Sequence, residues 1–147
     1  MLEWRSAMNL LIVDDEYLVV EEVVTVTDWE LLGITEIYSA TNAVSAVRIL
    51  NEKKIDIMIC DIEMPQTDGL ELSKQAKENF PDLEIVMLTS HAEFNYVRNA
   101  LRYGCYDYLL KPVMEDDIIK VMKNLVTKIE RERHQAQLQE EGIVWNQ

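Results

Sequence analysis

Five β-rich runs alternate with five stretches of helical spacing, and four of the runs stop abruptly on a side chain that can do chemistry. The first, residues 9–13, ends at Asp14-Asp15; the third, 55–60, at Asp61; the fourth, 84–88, at Thr89-Ser90; the fifth, 106–110, at Lys111-Pro112. The second, 35–40, has no such group at its end. Between them, Leu18, Val19, Val23, Val26 and Trp29 recur at helical spacing and predict a helix from Tyr17 to about Leu32, with Gly33 as its C-cap. Ala43, Val44, Val47 and Leu50 mark a second helix, and Leu70, Leu72 and Ala76 a third that stops before Phe80-Pro81. Phe94, Val97, Ala100 and Leu101 mark a fourth, closed by Gly104, and Asp116 or Asp117 is placed to cap a fifth carrying Ile118, Met122, Leu125 and Ile129. Strands and helices alternating over short connections predict an α/β protein with a doubly wound, five-stranded parallel sheet.

A chain of 147 residues suits one domain with a short appendage. Residues 1–7 fit no element, 8–127 form the domain, and 128–147 read as a helical linker that projects from it, because the apolar seam fades into Glu132, Ala136 and Gln139. Fourteen Lys and Arg against 27 Asp and Glu give a net charge of −13, which repels nucleic acid and anionic membranes. With four glycines, no glycine-rich phosphate loop can be written. Cys60 and Cys105 lie far apart and away from His91 and His134, which argues against a zinc cluster or disulfide framework and for core thiols in the cytoplasm. His91 reads as an exposed loop residue, and Met58, Met87 and Met122 as core. No apolar run is long enough to span a membrane.

In open α/β sheets, ligands bind outside the carboxyl ends of the strands. An isolated aspartate there ordinarily caps a helix, and Thr89 alone would be an ordinary cap too. Four reactive strand ends together point to a site. Clustered carboxylates repel one another unless a hard cation such as Mg2+ neutralises them, and that cation in turn favours a phosphoryl ligand. Lys111 and a hydroxyl suit the other phosphoryl oxygens. No base accompanies a Ser or Cys nucleophile, so a carboxylate is the attacking group, and Asp61, from the middle of the sheet, is best placed. Glu63 is ambiguous in the sequence: with its side chain in solvent, only its carbonyl would serve the metal.

Asp14-Asp15, Asp61 followed by Met64-Pro65 and Asp68-Gly69-Leu70, Thr89, and Tyr108 three residues before Lys111-Pro112 together resemble the receiver domain of two-component response regulators, over about residues 8–127. That resemblance implies the CheY-like strand order 2-1-3-4-5. It implies that Asp61 takes a phosphoryl group from the phosphohistidine of a sensor kinase, with Mg2+ held by Asp15, Asp61 and the Glu63 carbonyl and assisted by Asp14 through water. Lys111 pairs with the phosphoryl group, Thr89 hydrogen-bonds it, and Tyr108 turns inward as Thr89 moves. Residues 28–33 and 93–112 resemble the subfamily carrying an AraC-type DNA-binding domain, so DNA binding and transcription regulation would belong to a domain absent from this chain. Ser90 and Gln66 are small departures from the usual pattern.

A homodimer is expected through the fourth helix, fifth strand and fifth helix, where Val97, Arg98, Arg102, Asp107, Lys120 and Lys123 offer mixed charge. A rival reading is a Mg2+-dependent phosphohydrolase with an aspartate nucleophile, suggested by Asp61-Ile62-Glu63 after a strand. Its order is wrong here: Asp14-Asp15 precede the nucleophile, and Asp116 and Asp117 fall at a helix start.

Overall fold

The computed structural model describes residues 7–64, 67–90 and 94–142, with the backbone alone for 67–68 and 94–97. Strands β1 (Met8–Val13), β2 (Ile34–Ala40), β3 (Ile57–Asp61), β4 (Glu84–Thr89) and β5 (Asp107–Leu110) form one sheet in the order 2-1-3-4-5, every neighbouring pair parallel. Helices α1 (Tyr17–Thr25), α2 (Ala43–Glu52), α3 (Gly69–Asn79), α4 (Phe94–Arg102) and α5 (Glu115–Glu140) cover its two faces. The fold class and strand order are those expected.

The period-two alternation of strand side chains divides the core in two. Leu10, Ile12, Ile57, Ile59, Val86 and Leu88 point to one face, under Val20 and Val23 of α1 and Ile118, Met122 and Leu125 of α5. Leu11, Val13, Met58, Cys60, Ile85 and Met87 point to the other, under Ala46, Leu50, Leu72, Ala76 and Ala100. Strands buried on both faces read as continuous apolar runs, which is why β1, β3 and β4 stood out in the sequence.

Two elements differ from expectation. The first helix stops at Thr25, and residues Trp29–Leu32 form a separate 3-10 turn capped by Gly33 at φ 90°. The Val23 carbonyl, in the last turn of α1, accepts from the Trp29 indole N–H at 3.1 Å, and Thr25 Oγ1 donates back to the Glu21 carbonyl at 2.8 Å. The Trp29 indole thereby takes the Val23 carbonyl, which a longer helix would give to the Thr27 N–H. At the start of α5, Met114 rather than Asp116 or Asp117 occupies the cap position, and both aspartates lie with Glu115 in the first turn. There they face the positive end of the helix dipole.

Helix α5 runs unbroken through position 128 to Glu140. Ile129 and Glu130 are buried. The Lys128 ammonium lies 2.5 Å from Glu84 Oε2 at the start of β4, and the Arg133 guanidinium pairs with Asp56 just before β3. Asp56 also accepts from the Asn9 N–H at 2.7 Å. Packing therefore continues six residues beyond 127, and the helix leaves the domain only after Arg133.

Candidate functional site

The site is assembled at the carboxyl ends of β1, β3, β4 and β5. Backbone bonds hold those ends in place: Asp14 N–H donates to the Ala40 carbonyl at 3.2 Å, Ile62 N–H to Leu88 at 2.9 Å, and Lys111 N–H to Thr89 at 2.9 Å. The Lys111–Pro112 peptide is cis. Gly69 closes the loop after β3, its N–H donating to the Ile62 carbonyl at 3.1 Å. A Cβ at position 69 would stand 2.0 Å from the Asp61 carbonyl oxygen, so glycine is required for that approach. Glu63–Met64 pairs antiparallel with Thr67–Asp68, and Glu63 faces Asp68 across this short hairpin. Pro65, Gln66 and His91 lie outside the described residues, as does the side chain of Val97.

Asp14, Asp61 and Thr89 are buried, and Lys111 is half-buried between the carboxylates. Lys111 Nζ lies 2.7 Å from Asp14 Oδ2 and 3.2 Å from Asp61 Oδ1. Burial raises the Asp61 carboxyl above its ordinary range; the Glu63 N–H at 3.1 Å and Lys111 pull it down, while the Asp14 charge adds to the rise. Burial alone would lower the Lys111 ammonium, but its hydrogen bond to Asp14 and the charges of Asp14 and Asp61 outweigh this and raise it. Lys111 is therefore a firmly held cation among acids.

The carboxylates of Asp14, Asp15 and Glu16 lie within 4.8 Å of one another, Asp14 buried and the other two exposed. Asp14 Oδ1 also accepts from the Glu16 N–H at 2.9 Å. Glu16 was not singled out in the sequence, although its place directly after two acids at a strand end was the available signal. The cluster offers only hard oxygen donors, with no thiol or imidazole among them, which fits a hard divalent cation.

Glu63 is exposed, and its side chain nevertheless meets a neighbour within the site. The Glu63 side chain turns toward Thr89, whose Oγ1 donates to Glu63 Oε1 at 3.1 Å. Tyr108 is half-buried, pairs in register with Met87 two residues before Thr89, and packs on the α2–α3–α4 face of the core. It lines a groove beside β5 with Asp107, Asp117 and Lys120. Arg98, Arg102, Lys120 and Lys123 are exposed on α4 and α5. Cys60 and Cys105 are buried free thiols, as the sequence suggested.

A parallel 2-1-3-4-5 sheet with acids, a lysine and a buried threonine at the carboxyl ends of its strands defines the flavodoxin-like class of doubly wound proteins. Residues 10–123 match the response regulator receiver domain family, and the chain belongs to it. It is similar to the uncharacterized transcriptional regulatory protein YesN of Bacillus subtilis, 33% identical over 124 residues, which covers 84% of this chain and 34% of YesN. It is also similar to the response regulator SaeR of Staphylococcus aureus, 32% identical over 127 residues, covering 86% of this chain and 54% of SaeR. Among solved structures, the REC domain of the response regulator AraT from Geobacillus stearothermophilus superposes with a TM-score of 0.75 at 29% identity, over 90% of this chain and 99% of that one. NtrX from Brucella abortus gives 0.82 at 27% identity, over 97% of this chain and 32% of that one. The chain thus spans about a third to a half of the curated relatives named above. It is a receiver domain of two-component response regulators, with a signalling role, and nothing in these similarities supports the phosphohydrolase reading. Among the described residues, no helix is long and apolar enough to cross a membrane.

Proposed function

We propose that Asp61 is the phosphoacceptor, taking its phosphoryl group from the phosphohistidine of a sensor histidine kinase in the cytoplasm. The observation that carries this reading is the convergence on Asp61 of a buried acid, Asp14, and a lysine, Lys111, held between the two carboxylates. An Asp61 carboxylate oxygen attacks phosphorus, the bond from phosphorus to the histidine nitrogen breaks, and an acyl phosphate results. Asp15, Asp61 and the Glu63 carbonyl would hold Mg2+, with Asp14 acting through water; the bound cation supplies charge neutralisation for the incoming phosphoryl group. Lys111 pairs with one phosphoryl oxygen. Thr89 donates its hydroxyl proton to another, and Tyr108 follows Thr89 inward.

Output then passes to the face made by α4, β5 and α5. The exposed cations Arg98, Arg102, Lys120 and Lys123, with Asp107 beside them, support a symmetric homodimer there. Residues from Met8 through Arg133 serve as the receiver, and the helix beyond links it to a DNA-binding domain of AraC type that regulates transcription. Incubation with acetyl phosphate and Mg2+ followed by intact mass tests the central step. One added phosphoryl group, absent from Asp61→Asn, is expected; uptake by that variant at the normal rate places the acceptor elsewhere.

A further inference from the structure

The Thr89 hydroxyl, which the reading above assigns to a phosphoryl oxygen, is already donating elsewhere. Its proton goes to Glu63 Oε1 across 3.1 Å. A hydroxyl has one proton to donate, so Thr89 cannot serve Glu63 and a phosphoryl oxygen together. Glu63 is also tied to the acceptor by its backbone, since its N–H donates to Asp61 Oδ1 at 3.1 Å and the residue faces Asp68 in the short hairpin. The two bonds put one residue in touch with both the acceptor carboxylate and the threonine.

We infer that Glu63 is a positioning residue that retains the Thr89 hydroxyl in the unphosphorylated chain, so that switching is an exchange of one hydrogen bond from the Glu63 carboxylate to the phosphoryl group. Both acceptors are charged, and hydrogen bonds to charged acceptors are of similar, high strength. The exchange is therefore close to balanced in hydrogen bonding alone. What tips it is charge: a phosphoryl group adds about −1.5 to −2 beside Asp61 and repels the Glu63 carboxylate on the exposed side of the site. Thr89 is fully buried and finds its new partner within the site.

This inference rests on Asp61 as phosphoacceptor, so its test has one arm that needs phosphate and one that does not. In the first, the full chain is treated with acetyl phosphate and Mg2+ and uptake is followed by intact mass for Glu63→Ala, Glu63→Gln, Thr89→Ala and the Glu63→Ala/Thr89→Ala pair. Losing one retained hydrogen bond is expected to speed uptake about 2- to 10-fold in Glu63→Ala, with Glu63→Gln in between because an amide still accepts. That gain should vanish in the Thr89→Ala background. An equal gain with and without Thr89 would mean that Glu63 acts only by repelling phosphate, and the inference falls. In the second arm, three-bond couplings of Thr89 are measured by NMR on the unphosphorylated chain. A single side-chain rotamer in the parent and in Glu63→Gln, averaged in Glu63→Ala, is expected. A Thr89 rotamer indifferent to Glu63→Ala overturns the inference whatever the phosphate results, while an averaged rotamer with no uptake in any form faults the acceptor assignment alone.

Discussion

The Lys111 ammonium stands 3.2 Å from the Asp61 carboxylate, yet burial still leaves that carboxyl harder to ionise than an exposed aspartate. A raised carboxyl in the folded state means the folded chain binds that proton more tightly than the unfolded chain, so its ionised form weakens the fold at neutral pH. The Asp61→Asn chain should accordingly melt a few degrees higher than its parent at pH 7. That margin should shrink as pH falls through the raised range and the parent's carboxyl takes up its proton. Thermal unfolding between pH 7 and pH 4 checks it, and a margin that grows toward acid contradicts the sign.

Removing the lysine has the opposite consequence. Lys111→Met strips the cation from two buried carboxylates and should cost about 2–4 kcal/mol. Mg2+ should restore more stability to this variant than to the parent, because a divalent cation neutralises the same acids. Melting curves with and without Mg2+ measure both effects; an equal Mg2+ response in the two chains would remove the cation from this cluster.

Gly69→Ala places a methyl group against the Asp61 backbone, where the carbonyl oxygen stands 2.0 Å from the new atom. The loop must shift, at a cost of about 1–3 kcal/mol, and the acceptor with it. Phosphoryl uptake should fall while the far end of the sheet keeps its amide protection. Unchanged uptake would show that the loop relaxes without moving Asp61.

Burial raises both thiols, Cys105 to about 12 and Cys60 still further. Neither thiolate is present at neutral pH, so an aromatic disulfide reagent should react with both only as fast as the chain opens. Rapid labelling of either under native conditions would contradict the packing around it.

Arg133→Ala breaks the pair with Asp56 and should loosen the far half of α5 by about 1 kcal/mol. Hydrogen exchange should accelerate from Lys128 onward and stay unchanged in β1 and β3. Exchange that is unaltered along α5 would mean that Lys128, Ile129 and Glu130 hold the helix without Arg133.

The residues at the strand ends were legible because a buried parallel strand writes itself as an apolar run and stops where solvent begins. Asp14, Asp61, Thr89 and Lys111 are all found that way, and the sheet brings all four to one edge. What escaped the sequence depends on partners far along the chain. The end of α1 is decided by a Trp29 indole six residues from the carbonyl it takes. The side-chain direction of Glu63 is decided by a hydroxyl 26 residues away. The polar residues after Ile129 suggested a departing helix, whereas Lys128 and Arg133 find acids 44 and 77 positions distant. No local periodicity records such pairs.

Those two pairs sit at the opposite end of the strands from Asp61, and they moor α5 there. Its 26 residues extend about 39 Å, of which about 10 Å lies beyond the Arg133 mooring. Glu84 and Asp56 stand at the mouths of β4 and β3, the strands that end in Thr89 and Asp61. Glu84 and Asp56 thereby tie the starts of the strands that end in Thr89 and Asp61 to α5, so that helix and strands are joined by charge as well as through the core face.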